Sequence, residues 1–164
     1  MSGMPENPHG GDHRAVAAAL ALGEIQAPRF DFSVSLNPIG PPPDVRSLLW
    51  RALDSITAYP DAGASGAEAS LARAHELSPE AVVVGNGSTE IFGLMLRALA
   101  PRRAGWIDPC YAGYGEACRA MAVEGASIAQ AAPNDDFRVR SELLVVDGVD
   151  MLFLGSPNNP TGNL

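Results

Sequence analysis

Short apolar runs alternate with helical periodicity in the second half of this 164-residue chain, and this alternation most constrains its fold. The runs with strand character lie at 81–84, 105–107, 127–131 and 151–154. Helical patterns near 89–99 and 112–123 separate the first three runs. Strands that alternate with helices are typical of a parallel sheet with helices on both faces. The sequence therefore predicts an α/β fold.

The first half of the chain is rich in turn formers that separate helical segments. Asp12 has the short acceptor side chain that caps the amino end of a helix. The predicted elements are a helix over 13–22, an extended segment over 30–35, a helix from Asp44 and a helix near 67–77. The helix from Asp44 carries a continuous apolar stripe, which predicts an amphipathic element.

Charge and composition exclude several classes of function. The formal net charge is −8 and the isoelectric point is near 4.7, which argues against nucleic acid or an anionic membrane as a partner. The two cysteines lack CxxC spacing and the three histidines do not complete a ligand set, so we expect no metal site. We find no transmembrane stretch, and we expect a cytoplasmic protein.

The last apolar run leads directly into a rigid turn. Residues 151–154 are followed by Gly-Ser-Pro-Asn-Asn-Pro-Thr-Gly at 155–162. A buried strand of this kind delivers polar side chains to the carboxyl edge of the sheet, where open α/β folds bind ligands. Asn159 would present a side-chain amide there, for example to a phenolate oxygen. The alternative is a turn asparagine, which suits Asn158 better.

Two earlier strand ends carry candidate binding residues. The segment 85–90, Gly-Asn-Gly-Ser-Thr-Glu, is a glycine turn that opens into a helix, and first-turn amides can hold a phosphate. The alternative is a simple helix cap. After the next strand, Tyr111 could stack on a planar ring, or pack on the following helix. Asp108 is more consistent with a cap or turn residue than with a catalytic acid.

Together, the motifs resemble one family. They are His-Gly-Gly at 9–11, the segment 31–42, Tyr-Pro-Asp at 59–61, the glycine turn at 85–90, Pro-x-Tyr-x-x-Tyr at 109–114 and Pro-Asn-Asn-Pro-Thr-Gly at 157–162. In this order they resemble the threonine-phosphate decarboxylases of cobalamin biosynthesis, close relatives of the histidinol-phosphate aminotransferases. Both groups have the aspartate-aminotransferase fold, fold type I of the pyridoxal-phosphate enzymes. The last three motifs are shared by both groups, and the first two favour the decarboxylase.

The resemblance implies a fold division and a set of binding roles. Residues 1–43 would form an amino-terminal arm and a small-domain segment, and 44–164 an incomplete large cofactor-binding domain with an incomplete parallel sheet. The cofactor, pyridoxal 5′-phosphate, would be bound by Gly87, Ser88, Thr89, Tyr111 and Asn159, and by Tyr59 of a partner subunit in a homodimer. The phosphorylated amino-acid substrate would be bound by His9, Gly10, Ser35, Asn37 and Asn159. Ser35 departs from the asparagine common in the decarboxylases, and so does Asp12.

One residue type is missing from the chain. All 11 basic residues are arginine, so the 164 residues contain no lysine for the Schiff base that the family's reaction requires. Arginine cannot replace it, because the guanidinium stays protonated. We therefore expect no catalytic residue in this chain, and we expect the amino-terminal part of an enzyme that is inactive alone. The strand at 81–84 would then lack its sheet partner.

Three hypotheses on function remain. The first is part of a pyridoxal-phosphate lyase that decarboxylates L-threonine O-3-phosphate to aminopropanol phosphate. The second is part of a histidinol-phosphate-type aminotransferase, which differs in needing an amino acceptor. The third is a non-catalytic phosphate-binding module, which predicts that the 164 residues fold cooperatively by themselves.

Overall fold

The computed structural model describes residues 10–23, 30–144 and 146–163. Contacts divide the chain into two units, residues 1–60 and 61–164. The division after residue 43 that the sequence suggests concerns the complete enzyme, and it stays a prediction.

The first unit contains two helices. Helix α1, His13–Ala19, begins where predicted, and the Asp12 carboxylate caps it by accepting a hydrogen bond from the Ala15 amide at 2.9 Å. It ends earlier than predicted, because Ala21 has a φ of +53°, outside the helical region. Helix α2, Pro43–Ala52, continues into a 3₁₀ turn over Leu53–Ser55.

The second unit contains the sheet and the remaining helices. Helices α3, α4 and α5 span Ser65–Ala74, Ser88–Leu99 and Gly113–Ala120. Strands β1, β2 and β3 span Arg103–Asp108, Glu124–Gln130 and Met151–Phe153. Within the described residues these strands form one parallel sheet in the order β2-β1-β3, so β1 is central. The α/β class with a parallel sheet is confirmed.

Helices α4 and α5 pack on the face of the sheet to which Ala104 and Trp106 of β1 belong. The core cluster joins Leu96 of α4, Cys118 of α5, Ala104 of β1 and Phe153 of β3. Leu96 and Cys118 are each 1% exposed and Ala104 is fully buried. This packing fixes the amino ends of both helices near the carboxyl ends of β1 and β3.

The segment 81–84 lacks a sheet partner among the described residues, as the family resemblance implies, and it does not form the strand that its composition predicts. A 3₁₀ turn over Pro79–Ala81 includes its first residue, and Val82 is extended at φ −121° and ψ 131°. Yet the segment pairs with none of the described strands, and Val83 is 67% exposed. A strand needs a ladder partner to satisfy its backbone groups, so here the apolar run stays extended without becoming part of the sheet. None of the helices in the described ranges is both long enough and apolar enough to cross a membrane.

Candidate functional site

The glycine turn before α4 has a conformation that only glycine adopts readily. Gly87 has φ +81° and ψ 170°, and its amide donates to the Gly85 carbonyl at 2.9 Å. A β-carbon on Gly87 would meet no atom within 4 Å. Backbone conformation, not space, therefore selects glycine here. The turn leaves Ser88 and Thr89 exposed on the first turn of α4, where the amides have no intrahelical acceptors.

Glu90 braces this turn from inside the helix. Its carboxylate accepts hydrogen bonds from the Asn86 backbone amide and, at 3.2 Å, from the Asn86 side chain. A β-carbon on Gly85 would lie 2.8 Å from Cδ1 of Ile91 and 3.0 Å from Oε2 of Glu90. The turn and the first helical turn are thus closely packed, which holds the α4 amides in one geometry.

Tyr111 lies beside the start of α4. Its hydroxyl is 3.4 Å from Oγ1 of Thr89, so the structure brings together two residues that the sequence assigns to the cofactor. The Tyr111 ring is half-buried and packs at a centroid distance of 6.3 Å from Phe92 and 5.8 Å from Tyr114. The ring of Tyr111 therefore packs on side chains of α4 and α5 and still remains partly accessible. Packing on the following helix and stacking on a planar ligand ring are thus compatible with each other.

An aromatic stack supports Tyr111 from the core. Tyr114 stacks on Phe153 with a centroid distance of 4.9 Å and an interplanar angle of 7°. Phe92 meets both rings edge-on, at 5.2 Å and 5.5 Å. Burial raises the pKa of the Tyr114 phenol above its ordinary value, with smaller effects from Cys110 and Tyr111. Tyr114 is thus a neutral packing residue at physiological pH.

The two adjacent asparagines after β3 have different environments. The Asn158 side chain donates to the Pro109 carbonyl and to Oγ1 of Thr161, both at 2.9 Å. Asn159 is exposed, and its side chain makes no hydrogen bond to any described residue. The amide of Asn159 is therefore available to a ligand, whereas that of Asn158 is used within the protein.

Asp108 ends β1 and Cys110 lies in the loop that follows, where its surroundings make its thiol a poor nucleophile. The Cys110 thiol donates to Oδ1 of Asp108 at 3.6 Å. Burial, together with the negative charge of Asp108, raises the pKa of the Cys110 thiol to about 12. A thiol of that pKa stays protonated at neutral pH and is a poor nucleophile. The backbone carbonyl of Asp108 accepts from the Ala131 amide at 2.7 Å, which continues the pairing of β1 with β2 by one residue.

In the first unit, Ser33 connects the glycines at 10 and 11 to the segment at 31–34. Oγ of Ser33 accepts from the Gly11 amide at 2.8 Å and donates to Oδ1 of Asp31 at 2.5 Å. The bond that the Ser33 hydroxyl donates to Asp31, and a second one from the Ser33 amide, lower the pKa of Asp31. A β-carbon on Gly10 would lie 1.8 Å from the Ser33 carbonyl oxygen, so only glycine allows this close approach. Sequence analysis missed Ser33, although the Asp-x-Ser spacing is typical of an Asx turn.

The remaining candidates of the first unit have simpler surroundings. Asn37 caps its own turn, since its side chain accepts from the Ile39 amide and donates to the Gly40 carbonyl, both at 3.0 Å. Ser35 and Tyr59 are exposed. His9 lies outside the described residues. The binding roles of all the candidate residues stay predictions.

Across the described ranges, no group of three or more His, Cys, Asp or Glu side chains is arranged to hold a metal ion. What the second unit does offer is a phosphate-compatible helix start, an accessible aromatic ring and a free amide. All three belong to elements at the carboxyl edge of a parallel sheet, where α/β proteins bind cofactors. This combination defines a cofactor-binding α/β protein.

Comparison with known proteins specifies the family. The family model for aminotransferase class I and II matches residues 29–164. The chain belongs to this family of pyridoxal-phosphate enzymes, which confirms the family and the cofactor class that the sequence predicts.

Individual relatives come from both groups that the sequence resembles. The chain is 37% identical over 160 residues to a threonine-phosphate decarboxylase from Salmonella typhimurium strain LT2, covering 95% of this chain and 43% of the relative. The structure of a histidinol-phosphate aminotransferase from Clostridium acetobutylicum matches with a TM-score of 0.67 at 25% identity, covering 78% of this chain and 38% of that one. The L-threonine-O-3-phosphate decarboxylase from Porphyromonas gingivalis matches with a TM-score of 0.59 at 27% identity, covering 71% and 34%. The chain thus spans less than half the length of these proteins.

Proposed function

We propose that these residues form the amino-terminal part of a pyridoxal-phosphate-dependent lyase that decarboxylates L-threonine O-3-phosphate to aminopropanol phosphate in cobalamin biosynthesis. The observation that carries the proposal is the grouping of Thr89, Tyr111 and the asparagine turn at one sheet edge. The 3.4 Å contact between the Thr89 and Tyr111 hydroxyls and the bond from Asn158 to Pro109 link these three elements. The 37% identity to a threonine-phosphate decarboxylase supports the choice of substrate.

The residues present fit the cofactor in shape and in charge. The exposed helix start after Gly87 offers amides and the hydroxyls of Ser88 and Thr89 to a phosphate dianion, at the positive end of the helix dipole. The partly accessible ring of Tyr111 offers a face for a pyridine ring. The Asn159 amide, which no described residue engages, can donate to a phenolate oxygen.

When bound, the cofactor supplies an electron sink for the pair left behind as the carboxylate departs. The residues of this chain bind and orient. Ser88 and Thr89 hold the phosphate, Tyr111 covers one face of the ring, and Asn159 stabilises the phenolate charge. His9, Gly10, Ser35 and Asn37 are proposed to bind the substrate's phosphate or carboxylate.

The lysine and the further carboxylate-binding groups are not among these residues, so the complete gene product is the enzyme to assay. It should release carbon dioxide and aminopropanol phosphate from L-threonine O-3-phosphate in the presence of pyridoxal phosphate and without any 2-oxo acid. Conversion of histidinol phosphate that depends strictly on a 2-oxo acid would instead support the aminotransferase. If the protein catalyses neither reaction and does not bind the cofactor, the non-catalytic phosphate-binding module is favoured.

We also propose a homodimer in which Tyr59 of one subunit reaches the cofactor phosphate of the other. Tyr59 is fully exposed in the single chain, which agrees with a role at an interface. Mixing an inactive Tyr59→Phe enzyme with an inactive Asn159→Ala enzyme should restore part of the activity, because one site in the mixed dimer is intact. Failure of any mixture to recover activity, while mixed dimers form, would contradict the shared site.

A further inference from the structure

A single side-chain amide joins the loop after β1 to the loop after β3. Nδ2 of Asn158 donates to the Pro109 carbonyl, which is 49 residues earlier in the chain, at 2.9 Å. The same nitrogen donates to Oγ1 of Thr161 at 2.9 Å. The Asn158 amide is partly buried, so its two bonds are shielded from water and are correspondingly stronger. Both donor positions of this amide are therefore used to hold loops.

The backbone around Asn158 is closed as well. The backbone amide of Asn158 donates to the backbone carbonyl of Asn163, and the backbone amide of Gly162 donates to the backbone carbonyl of Asn158, both at 2.7 Å. Two backbone hydrogen bonds thus close residues 158–163 into one compact turn. These two bonds do not determine where this turn lies relative to β1.

The sheet itself does not fix it. The ladder between β1 and β3 ends with Trp106 opposite Phe153, before either loop begins. Beyond that pair, the bond from Asn158 to Pro109 is the one hydrogen bond between the two loops among the residues that the structure describes. Tyr111 is two residues after Pro109, and Asn159 is the residue after Asn158.

We propose that Asn158 is a positioning residue that sets the separation between the ring of Tyr111 and the amide of Asn159. The proposal rests on the proposed function, in which these two groups contact the cofactor. Asn158 itself does not touch the cofactor; it acts through Asn159 and Tyr111. Asparagine is required because only its amide donates to both acceptors, whereas an aspartate of the same shape would place a negative charge against the Pro109 carbonyl.

The test uses the complete gene product and pyridoxal phosphate as the probe. Asn158→Asp should raise the dissociation constant of the cofactor about tenfold or more, the loss expected for one partly buried hydrogen bond replaced by a repulsion. It should also reduce the circular dichroism band of the bound cofactor, because the asymmetry of that band depends on how the ring is held. Fluorescence titration and visible-range dichroism give the two readouts.

The matched control is Asn163→Asp. The Asn163 side chain also donates to a backbone carbonyl, that of Asp136, which is 27 residues earlier. Its loss removes a bond of the same kind from the same turn, but to the loop at Asp136, which does not carry Tyr111, so the dissociation constant should stay within about twofold of the wild type. Equal effects of the two substitutions, or a wild-type dissociation constant and dichroism for Asn158→Asp, would overturn the proposal.

A second pair keeps the test decisive if Asn158→Asp does not fold. Thr161→Val removes one acceptor of the Asn158 amide, and Thr161→Ser keeps it. The valine variant should bind the cofactor more weakly than the serine variant, and equal binding by both would overturn the proposal. A wild-type protein that binds no cofactor would defeat the proposed function itself, an outcome distinct from both results.

Discussion

Replacing Gly87 by alanine tests whether the turn before α4 is held by backbone conformation. At φ +81° and ψ 170°, Gly87 occupies a region that residues with a β-carbon populate at a cost of about 1–3 kcal/mol. No steric cost adds to this, because a β-carbon would meet no atom within 4 Å. Alanine also reduces the conformational freedom of the unfolded chain, which offsets roughly 0.4–1 kcal/mol. We expect a net loss of about 1–2 kcal/mol in the free energy of unfolding.

Gly93→Ala is the matched control for this experiment. Gly93 lies inside the same helix, has no positive φ, and a β-carbon there would likewise meet no atom within 4 Å. Alanine in a helix interior is favoured over glycine by about 0.8–1 kcal/mol, so this variant should be more stable than the wild type. The same chemical change is therefore expected to have opposite signs at two positions six residues apart.

Urea unfolding followed by far-ultraviolet circular dichroism measures both free energies. Both variants are made in the complete gene product, where thermal unfolding compares their melting temperatures with that of the wild type and gives an independent check. In the complete enzyme, Gly87→Ala should also weaken binding of pyridoxal phosphate, because the first amides of α4 shift with the turn. If Gly87→Ala proved as stable as Gly93→Ala, the conformational argument would be refuted.

Three further predictions concern other parts of the chain. Ser33→Ala removes the acceptor of the Gly11 amide, so in the complete enzyme it should raise the KM for the phosphorylated substrate about tenfold while kcat changes little. The control Ser70→Ala removes a hydroxyl bonded within α3 and should change neither KM nor kcat. A fall in kcat as large as the rise in KM would contradict a role confined to binding. Burial raises the pKa of Cys110 from 9.0 to about 12 and also raises that of Cys118. Iodoacetamide at pH 8 should therefore alkylate neither thiol until urea is added, and alkylation of the folded chain at pH 8 would show that the thiols are accessible. Because both pKa values are higher in the folded than in the unfolded state, the free energy of unfolding should fall as the pH rises above about 9. Finally, borohydride reduction of these 164 residues mixed with pyridoxal phosphate should leave no pyridoxyl group on a side-chain amine, since the sequence contains no lysine, and mass spectrometry of the peptides would detect one.

Local sequence patterns predicted most of the framework. The helical pattern at 89–99 and the glycine turn before it indicated α4 within one residue, and the apolar runs indicated β1 and β3. Asp12 was recognised as a helix cap because a cap acts over three residues. The segment at 81–84 shows the limit of this approach. Its composition favours a strand, but strand formation depends on a partner, and the family resemblance, not local composition, indicated that this partner is missing.

The contacts that sequence analysis missed join residues far apart in the chain. Ser33 bonds Gly11 across 22 residues and Asn158 bonds Pro109 across 49, and no local periodicity encodes such distances. The sequence indicated that Asn158 suits a turn better than Asn159 does, but only the fold shows that the Asn158 side chain bonds Pro109 and Thr161.

The same distinction bears on how the family's motifs should be interpreted. A motif such as Pro-Asn-Asn-Pro-Thr-Gly combines residues that can contact a ligand with residues that hold the turn, and turn propensity separates Asn158 from Asn159 without giving the partners of either. In this structure Asn158, Thr161 and Gly162 are engaged in holding the turn, and Asn159 is left free. Substitution of Asn158, Thr161 or Gly162 should therefore weaken cofactor binding by changing the shape of the turn. Substitution of Asn159 should weaken it by removing one hydrogen-bond donor to the cofactor. The two classes are separable by experiment, because loss of geometry alters the dichroism of the bound cofactor and the position of Tyr111 together, whereas loss of one donor leaves Tyr111 in place.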